Sequence, residues 1–517
     1  MAAKWRFFCF PGSGNRIFIN ILLPQFSAMR LFANCFSLLA LVFTLSASAQ
    51  ENPEWNQVFA NINKEVLTNS KAYSSLKYAT ENIGHRLTGS ANGKKAEEYA
   101  YNLLKSYGFK DVRYQPFEVE SWSRGMLTVT AGADMQNQQP VKSVTLAHSP
   151  VKADINLELV DMGNGLEEDY QANPSKVKGK IALVYLGVLP GSKPGTRSLH
   201  RSEKTAIATK YGASGIMIIN TPDGGILLTG TASVTGKLIP IPAVCIGKED
   251  GMELKRKLKE GKLYSHIAMT NFSGLIKARN VVATIKGKTL PNEKIVVGGH
   301  LDSWDLATGA IDNGIGSFAV LDMARTFQAL KLQPARTVEF VMFMGEEEGL
   351  LGSKAYVEDA VKDKSIDQLR YMLNYDMTND PKGYSTTAED SRDLFQYIGN
   401  IARAMDTSFR NSFRAGAGLH SDHQPFMLQG VPTGGSSGGG LPNNAGPCYH
   451  ADCDHFKLVD ESGMKNNVRF SSMLVYGIAD AREIKAKHFS DEETKAFLLK
   501  NNLKEPLQIA GEWRWND

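Results

Sequence analysis

Charge of one sign is what this 517-residue sequence has least of: 58 basic side chains stand against 54 acidic ones, a formal net of +4. It has no long basic run and no basic stretch interleaved with aromatics, which argues against nucleic acid as a partner. Long hydrophobic runs are missing too. The apolar stretch 36–45 falls well short of the roughly 20 residues that span a bilayer, so no stable membrane anchor is expected. The GxGxxG spacing and the P-loop lysine are both absent, which removes a phosphate-cradling reading of the glycine-rich stretches. Internal repeats are lacking, and low complexity is confined to the Gly/Ser-rich stretch 434–440. Cysteine is scarce, with 5 in the whole chain.

What is present begins with an export signal. Met29-Arg30 supplies a basic n-region, 36–45 an apolar h-region, and Ala47-Ser48-Ala49 before Gln50 an A-x-A cleavage site. Cleavage after Ala49 and a secreted or periplasmic protein are expected. Residues 1–28 have no part in that scheme, since a compact signal could start at Met29. Removal of 1–49 takes away Cys9 and Cys35 and leaves Cys245, Cys448 and Cys453. The last two are near enough to close a small loop in an oxidising compartment, or to stay as thiols.

The length exceeds what one hydrophobic core organises, so at least two units are expected. Residues 50–151 read as helix and then strand. At 94–107 Ala96, Tyr99, Ala100, Leu103 and Leu104 share one helical face, which Gly108 ends; Gly84-His85-Arg86-Leu87-Thr88-Gly89-Ser90 is a turn-rich loop before it. Residues 152–275 change to short β-rich runs, at 181–186, 215–219 and 239–246, broken by Gly and Pro turns, as an inserted module would be. Residues 276–517 alternate strand, loop and helix: strand at 295–298, helix at 316–330, strand at 337–344, helix from 351. That alternation predicts an α/β unit with a mixed, largely parallel sheet and helices on both faces, where ligands bind at the carboxyl ends of strands.

The candidate residues gather at those ends. His300-Leu301-Asp302 directly follows an apolar strand. Asp312 stands in the glycine-rich approach to a helix, 309–316. The strand 337–344 runs into Gly345-Glu346-Glu347-Glu348-Gly349, where three adjacent acids need either solvent or a cation. Asp376 ends the strand 371–375, and Cys448-Tyr449-His450 lies in a later loop with Asp452 and Asp454 beyond it. Singly, each has a plain structural explanation, a polar turn or a solvated strand end. Together they present His, Asp, Glu, Asp and His in succession, the imidazole and carboxylate donors that zinc takes in hydrolytic sites. With one acid bridging, five such side chains can hold two ions at the separation of two-metal hydrolases.

At these residues the sequence resembles the co-catalytic zinc peptidases, the family of leucyl aminopeptidases and glutamate carboxypeptidases, nearest to its plasma-glutamate-carboxypeptidase branch. The likeness spans nearly all of the chain after residue 49. It is most specific in Gly298-Gly299-His300-Leu301-Asp302-Ser303-Trp304-Asp305 and in 309–316, and the segment 152–275 resembles a protease-associated domain in Gly179-Lys180-Ile181-Ala182-Leu183-Val184 and Gly212-Ala213-Ser214-Gly215. The resemblance implies two zinc ions, with His300 and Asp376 on one, Glu347 and His450 on the other, and Asp312 bridging. It implies Glu346 as general base, Asp302 as the acid that orients His300, and Tyr449 as a phenol that stabilises the tetrahedral intermediate. Ser421, Asp422 and His423 resemble a segment near the substrate pocket. The expected substrate is a dipeptide or other short peptide, and a homodimer is compatible with the family. Alternatives are an aminopeptidase on longer peptides, a carboxypeptidase, a single-zinc glutaminyl cyclase and, in another class, a non-catalytic binding module on the same fold, which should have lost ligands or the base.

Overall fold

The computed structural model describes residues 53–516, so the predicted leader and its cleavage site lie outside the described residues. Strands come in chain order as β1 (Val112–Gly132), β2 (Gln139–Pro140), β3 (Ser143–Thr145), β4 (Lys152–Asp161), β5 (Ile181–Tyr185), β6 (Gly215–Ile219), β7 (Ala243–Ile246), β8 (Leu263–Ile285), β9 (Leu290–His300), β10 (Arg336–Phe343), β11 (Leu369–Asn374), β12 (Gly383–Thr386), β13 (Ser412–Ala415) and β14 (Thr433–Ser437). They join in one sheet of order β13-β12-β14-β11-β9-β10-β8-β4-β5-β6-β7-β3, with β1 laid along β8. Two parallel blocks stand out, β14-β11-β9-β10 and β4-β5-β6-β7. Both are welded to the 23-residue β8, which pairs antiparallel with β10 at one end and with β4 at the other.

Period-two side-chain alternation explains why these segments are strands buried on both faces. In β9, Ile295 and Val297 join the core on one side of the sheet and Val296 the core on the other; in β10, Val338, Phe340 and Met342 alternate with Val341 and Phe343 in the same way. The first core is covered by α1 (Pro53–Asn69), α2 (Ala72–Asn82), α3 (Ala91–Ser106), α4 (Ile315–Ala329) and α5 (Glu461–Asp480). Trp55, Phe59, Ile62 and Val66 recur at helical spacing on α1 and are all buried. The opposite core is covered by α6 (Leu351–Lys362) and α7 (His423–Leu428), through Tyr356, Val357 and Phe426. In the second block Ile181 and Leu183 face one core while Ala182 and Val184 face another.

Two boundaries differ from the sequence reading for local reasons. The strand expected at 239–246 starts only at Ala243, because Pro240 and Pro242 have no N–H to give a ladder. The helix expected from 94 starts at Ala91, where the Ser90 side chain caps it by accepting from the Gly93 N–H. Residue 275, read as the end of the insertion, lies inside β8. No helix of the described residues is long and apolar enough to cross a membrane.

Phe340 meets the rings of Phe109 and Phe327 edge-on at centroid distances of 6.1 and 5.5 Å and is 1% exposed. Phe340→Ala should therefore lower the urea-unfolding free energy by about 3–5 kcal/mol. Leu275→Ser, at a site 78% exposed, should change it by less than about 0.5 kcal/mol. Equal midpoints for the two variants would contradict this packing.

Candidate metal centre

Parallel pairing of β9, β10 and β11 brings their carboxyl ends to one edge. His300 is the last residue of β9 and is in register with Phe343 of β10; Glu346 and Glu347 follow just beyond, and Asp376 lies two residues past β11. Asp312 enters from the turn before α4. That turn needs Gly309 at φ +60°, where a Cβ would lie 2.1 Å from Ser303 Cβ. His450 arrives on a loop closed by a Cys448–Cys453 disulfide, with Cα atoms 5.2 Å apart.

These side chains converge. Asp312 Oδ1 is 3.3 Å from His300 Nε2, and Asp312 Oδ2 is 2.9 Å from His450 Nε2. Asp376 Oδ1 adds itself at 3.5 Å on the His300 side, and Glu347 Oε2 at 3.1 Å on the His450 side. Two trios place their donor atoms within 4.8 Å of one another: His300, Glu346 and Asp376, and His300, Asp312 and Glu347. His300 Nε2, Asp376 Oδ1 and Glu347 Oε1 are buried with no hydrogen-bond partner, an arrangement that is costly for the protein alone. A nitrogen and oxygen donor set of this kind fits zinc.

Electrostatics point the same way. Burial raises the Glu346 carboxyl well above its usual range, with Asp376, Glu347 and Asp422 adding repulsion against the pull of His300. Burial alone would depress His300, but Glu346 and Asp376 hold it well above the ordinary imidazole value. Burial likewise opposes the charge on Asp312, yet the imidazoles of His300 and His450 beside it keep it below the usual carboxylate range. Asp422 is fully buried and unpaired, and burial pushes it up to about 7. So many acids packed together with little exposure call for cationic compensation.

Of the remaining expected residues, Asp302 bonds by its carboxylate to the Glu346 and Glu347 N–H groups at 3.4 and 3.3 Å. It meets His300 Nδ1 chiefly through its own carbonyl, at 3.2 Å, with Oδ1 at 3.6 Å. Glu348 is buried beside Asp302 and Thr88, while Glu346 and Glu347 line the cleft. Tyr449 stacks on His450 at 3.9 Å, and burial raises its phenol well above the ordinary value. Ser421 donates to Asp376 Oδ2 at 2.7 Å, so it positions that acid; His423 Nε2 meets the Gly418 carbonyl at 3.1 Å.

Three residues escaped the sequence reading. Arg86, from the turn-rich loop, is fully buried and donates to the carbonyls of Leu301, Thr308 and Gly309, tying the His300 segment to the Asp312 turn. Asp454 accepts from the Ile311 and Asp312 N–H groups at 2.7 and 3.0 Å and so fixes the backbone of Asp312; proximity to His450 in the sequence was its one signal. Arg201, 3% exposed at the start of the helix Arg201–Lys210 in the inserted segment, lines a cleft of about 680 Å³ together with Glu346, Glu347, Tyr449 and His450. Its Nε has no hydrogen-bond partner. Gly230 makes room for it, since a Cβ there would lie 1.9 Å from Arg201 Nη2.

Comparison with known proteins gives the same two parts. Residues 280–475 match peptidase family M28 and residues 155–254 match the PA domain. Similar proteins include a probable leucine aminopeptidase 2 of Trichophyton verrucosum, 30% identical over 365 residues covering 68% of each chain. Carboxypeptidase Q of Mus musculus is 25% identical over 424 residues, covering 80% of this chain and 87% of its own. A zinc aminopeptidase from Bacillus subtilis shares the fold with a TM-score of 0.60 at 24% identity, over 82% of this chain and 98% of its own.

Arg86→Met should leave two buried carbonyls, of Leu301 and Gly309, and the partly buried carbonyl of Thr308 without their donor. At about 1–3 kcal/mol for each unsatisfied buried group, a loss of at least about 2 kcal/mol is expected in urea unfolding, measured with a chelator present so that bound metal makes no contribution. A variant as stable as the parent would mean that Arg86 does not brace the site.

Proposed function

Because the chain belongs to peptidase family M28 and is a zinc-dependent exopeptidase, we propose that it hydrolyses dipeptides and other short peptides with two zinc ions per chain. The observation that carries the two-ion reading is Asp312: each of its oxygens faces a different imidazole, His300 on one side and His450 on the other. Asp376 completes the first set and Glu347 the second. Zinc held there supplies Lewis acidity toward the scissile carbonyl and makes water acidic enough to attack at neutral pH.

The protein's own groups supply the rest. Glu346, beside both sets and lining the cleft, takes the proton of the attacking water at its carboxylate and delivers it to the departing amine nitrogen. The Tyr449 hydroxyl opposes the charge that gathers on the carbonyl oxygen. Asp302 holds the Glu346–Glu347 turn through two backbone N–H groups. The Arg201 guanidinium, buried in the same cleft, is suited to a free carboxylate at the end of a short substrate. This favours a substrate that ends one residue past the cut. Export to an oxidising compartment is part of the proposal, supported by the Cys448–Cys453 disulfide under His450.

Metal analysis paired with a peptide screen tests this. Wild type should carry close to two zinc ions. Glu346→Gln should keep them and lose at least about 100-fold in hydrolysis, whereas Asp312→Ala should lose both; undiminished hydrolysis by Glu346→Gln, or two ions retained by Asp312→Ala, would sink the reading. Arg201→Met should raise KM for a free dipeptide and leave KM for the amidated dipeptide unchanged. An equal rise for both would show that Arg201 does not read the carboxylate.

A further inference from the structure

The cleft beside Glu346 does not end on the catalytic side chains. His200, Glu203, Leu419, His420 and Pro506 line it and also line a second, outer cavity of about 1420 Å³. These five come from three distant parts of the chain: His200 and Glu203 from the inserted segment, Leu419 and His420 from the loop before α7, and Pro506 from the helix Lys504–Ile509 near the carboxyl terminus. Where they meet, the imidazoles of His200 and His420 stack with centroids 4.9 Å apart and planes 22° from parallel. Glu203 Oε1, buried and without a hydrogen-bond partner, stands 3.7 Å from His420 Nε2.

We propose that the His200–His420 stack, backed by Pro506, is a partition that sets substrate length by closing the inner cleft against the outer cavity on the Arg201 side. Each half is fixed from behind. His200 caps its helix through Ser202, with Nδ1 2.7 Å from the Ser202 hydroxyl. His420 is held through its backbone, whose N–H donates to Gln424 Oε1; Gln424 Nε2 donates to Glu512, and Glu512 pairs with Lys354 at 2.6 Å. Leu503 and Leu507 seat the terminal segment on Met427 and Leu428 of α7. A chain that continues past the residue held at Arg201 meets these two rings, which line both spaces. Removing one ring joins the two cavities.

This rests on the peptidase reading, so the test includes binding as well as turnover. A dipeptide and the same dipeptide extended by two residues at its carboxyl end are compared in His420→Ala and His420→Phe, and calorimetric binding of both peptides is measured in the Glu346→Gln background. His420→Ala should raise the ratio of kcat/KM for the extended peptide to that for the dipeptide at least tenfold. His420→Phe keeps a ring to stack and should keep the wild-type ratio. In Glu346→Gln the dipeptide should bind and the extended peptide should not, until His420→Ala is added. Length-selective binding in Glu346→Gln, with no hydrolysis of either peptide by wild type, would uphold the partition and overturn the peptidase reading. Equal handling of both peptides by wild type, or an unchanged ratio in His420→Ala and in the His200→Ala, His420→Ala double variant, would overturn the partition.

Discussion

One buried carboxylate between two imidazoles is the constraint from which the rest of the molecule follows. Asp312 turns an oxygen to His300 and the other to His450, and Glu346, Glu347, Glu348, Asp376, Asp422 and Asp454 crowd around it, buried or at the inner end of the cleft. Acids in such a place repel one another and lose hydration, so they persist when cations compensate them and the backbone holds them apart. The bracing is of that second kind. Arg86 ties three carbonyls of the two neighbouring loops, Asp454 grips the Asp312 backbone, and the disulfide closes the His450 loop. None of these need touch a substrate, yet each limits how far a donor can drift.

The sheet serves the same end on a larger scale. Parallel β9, β10 and β11 deliver His300, Glu346 and Asp376 to one edge because their carboxyl ends lie side by side. The β1 and β8 ribbon carries the inserted block on that same sheet. The cleft is consequently lined from both: Glu346, Glu347 and His450 from the catalytic block, Arg201 and His200 from the inserted one. A catalytic centre on one block alone would be open on that flank; the second block supplies the anchor and the limit.

Much of this was legible in the residues. A near-continuous apolar run fixes strands such as 337–344 within a residue, since a strand buried on both faces is apolar at most positions, with the buried Glu339 the exception in mid-strand. Donor types at strand ends pointed to His300, Glu346 and Asp376, and the glycine-rich turn to Asp312, because those patterns are local. The resemblance named Asp302 as a partner of His300 but not as the group that holds the Glu346 turn, since the β9 and β10 loops meet only once the strands pair.

The sequence by itself determined most of the elements and the donor types gathered at the strand ends, because periodicity and donor type are written in neighbouring residues; the roles of Glu346, Asp302 and Tyr449 came from the resemblance. Only the tertiary structure decided what Arg86, Arg201 and His420 do. An arginine in a turn, an arginine opening a helix and a histidine in a polar loop carry no local mark. Their roles come from carbonyls, a cleft and a stacked ring contributed largely by distant parts of the chain and brought near by packing.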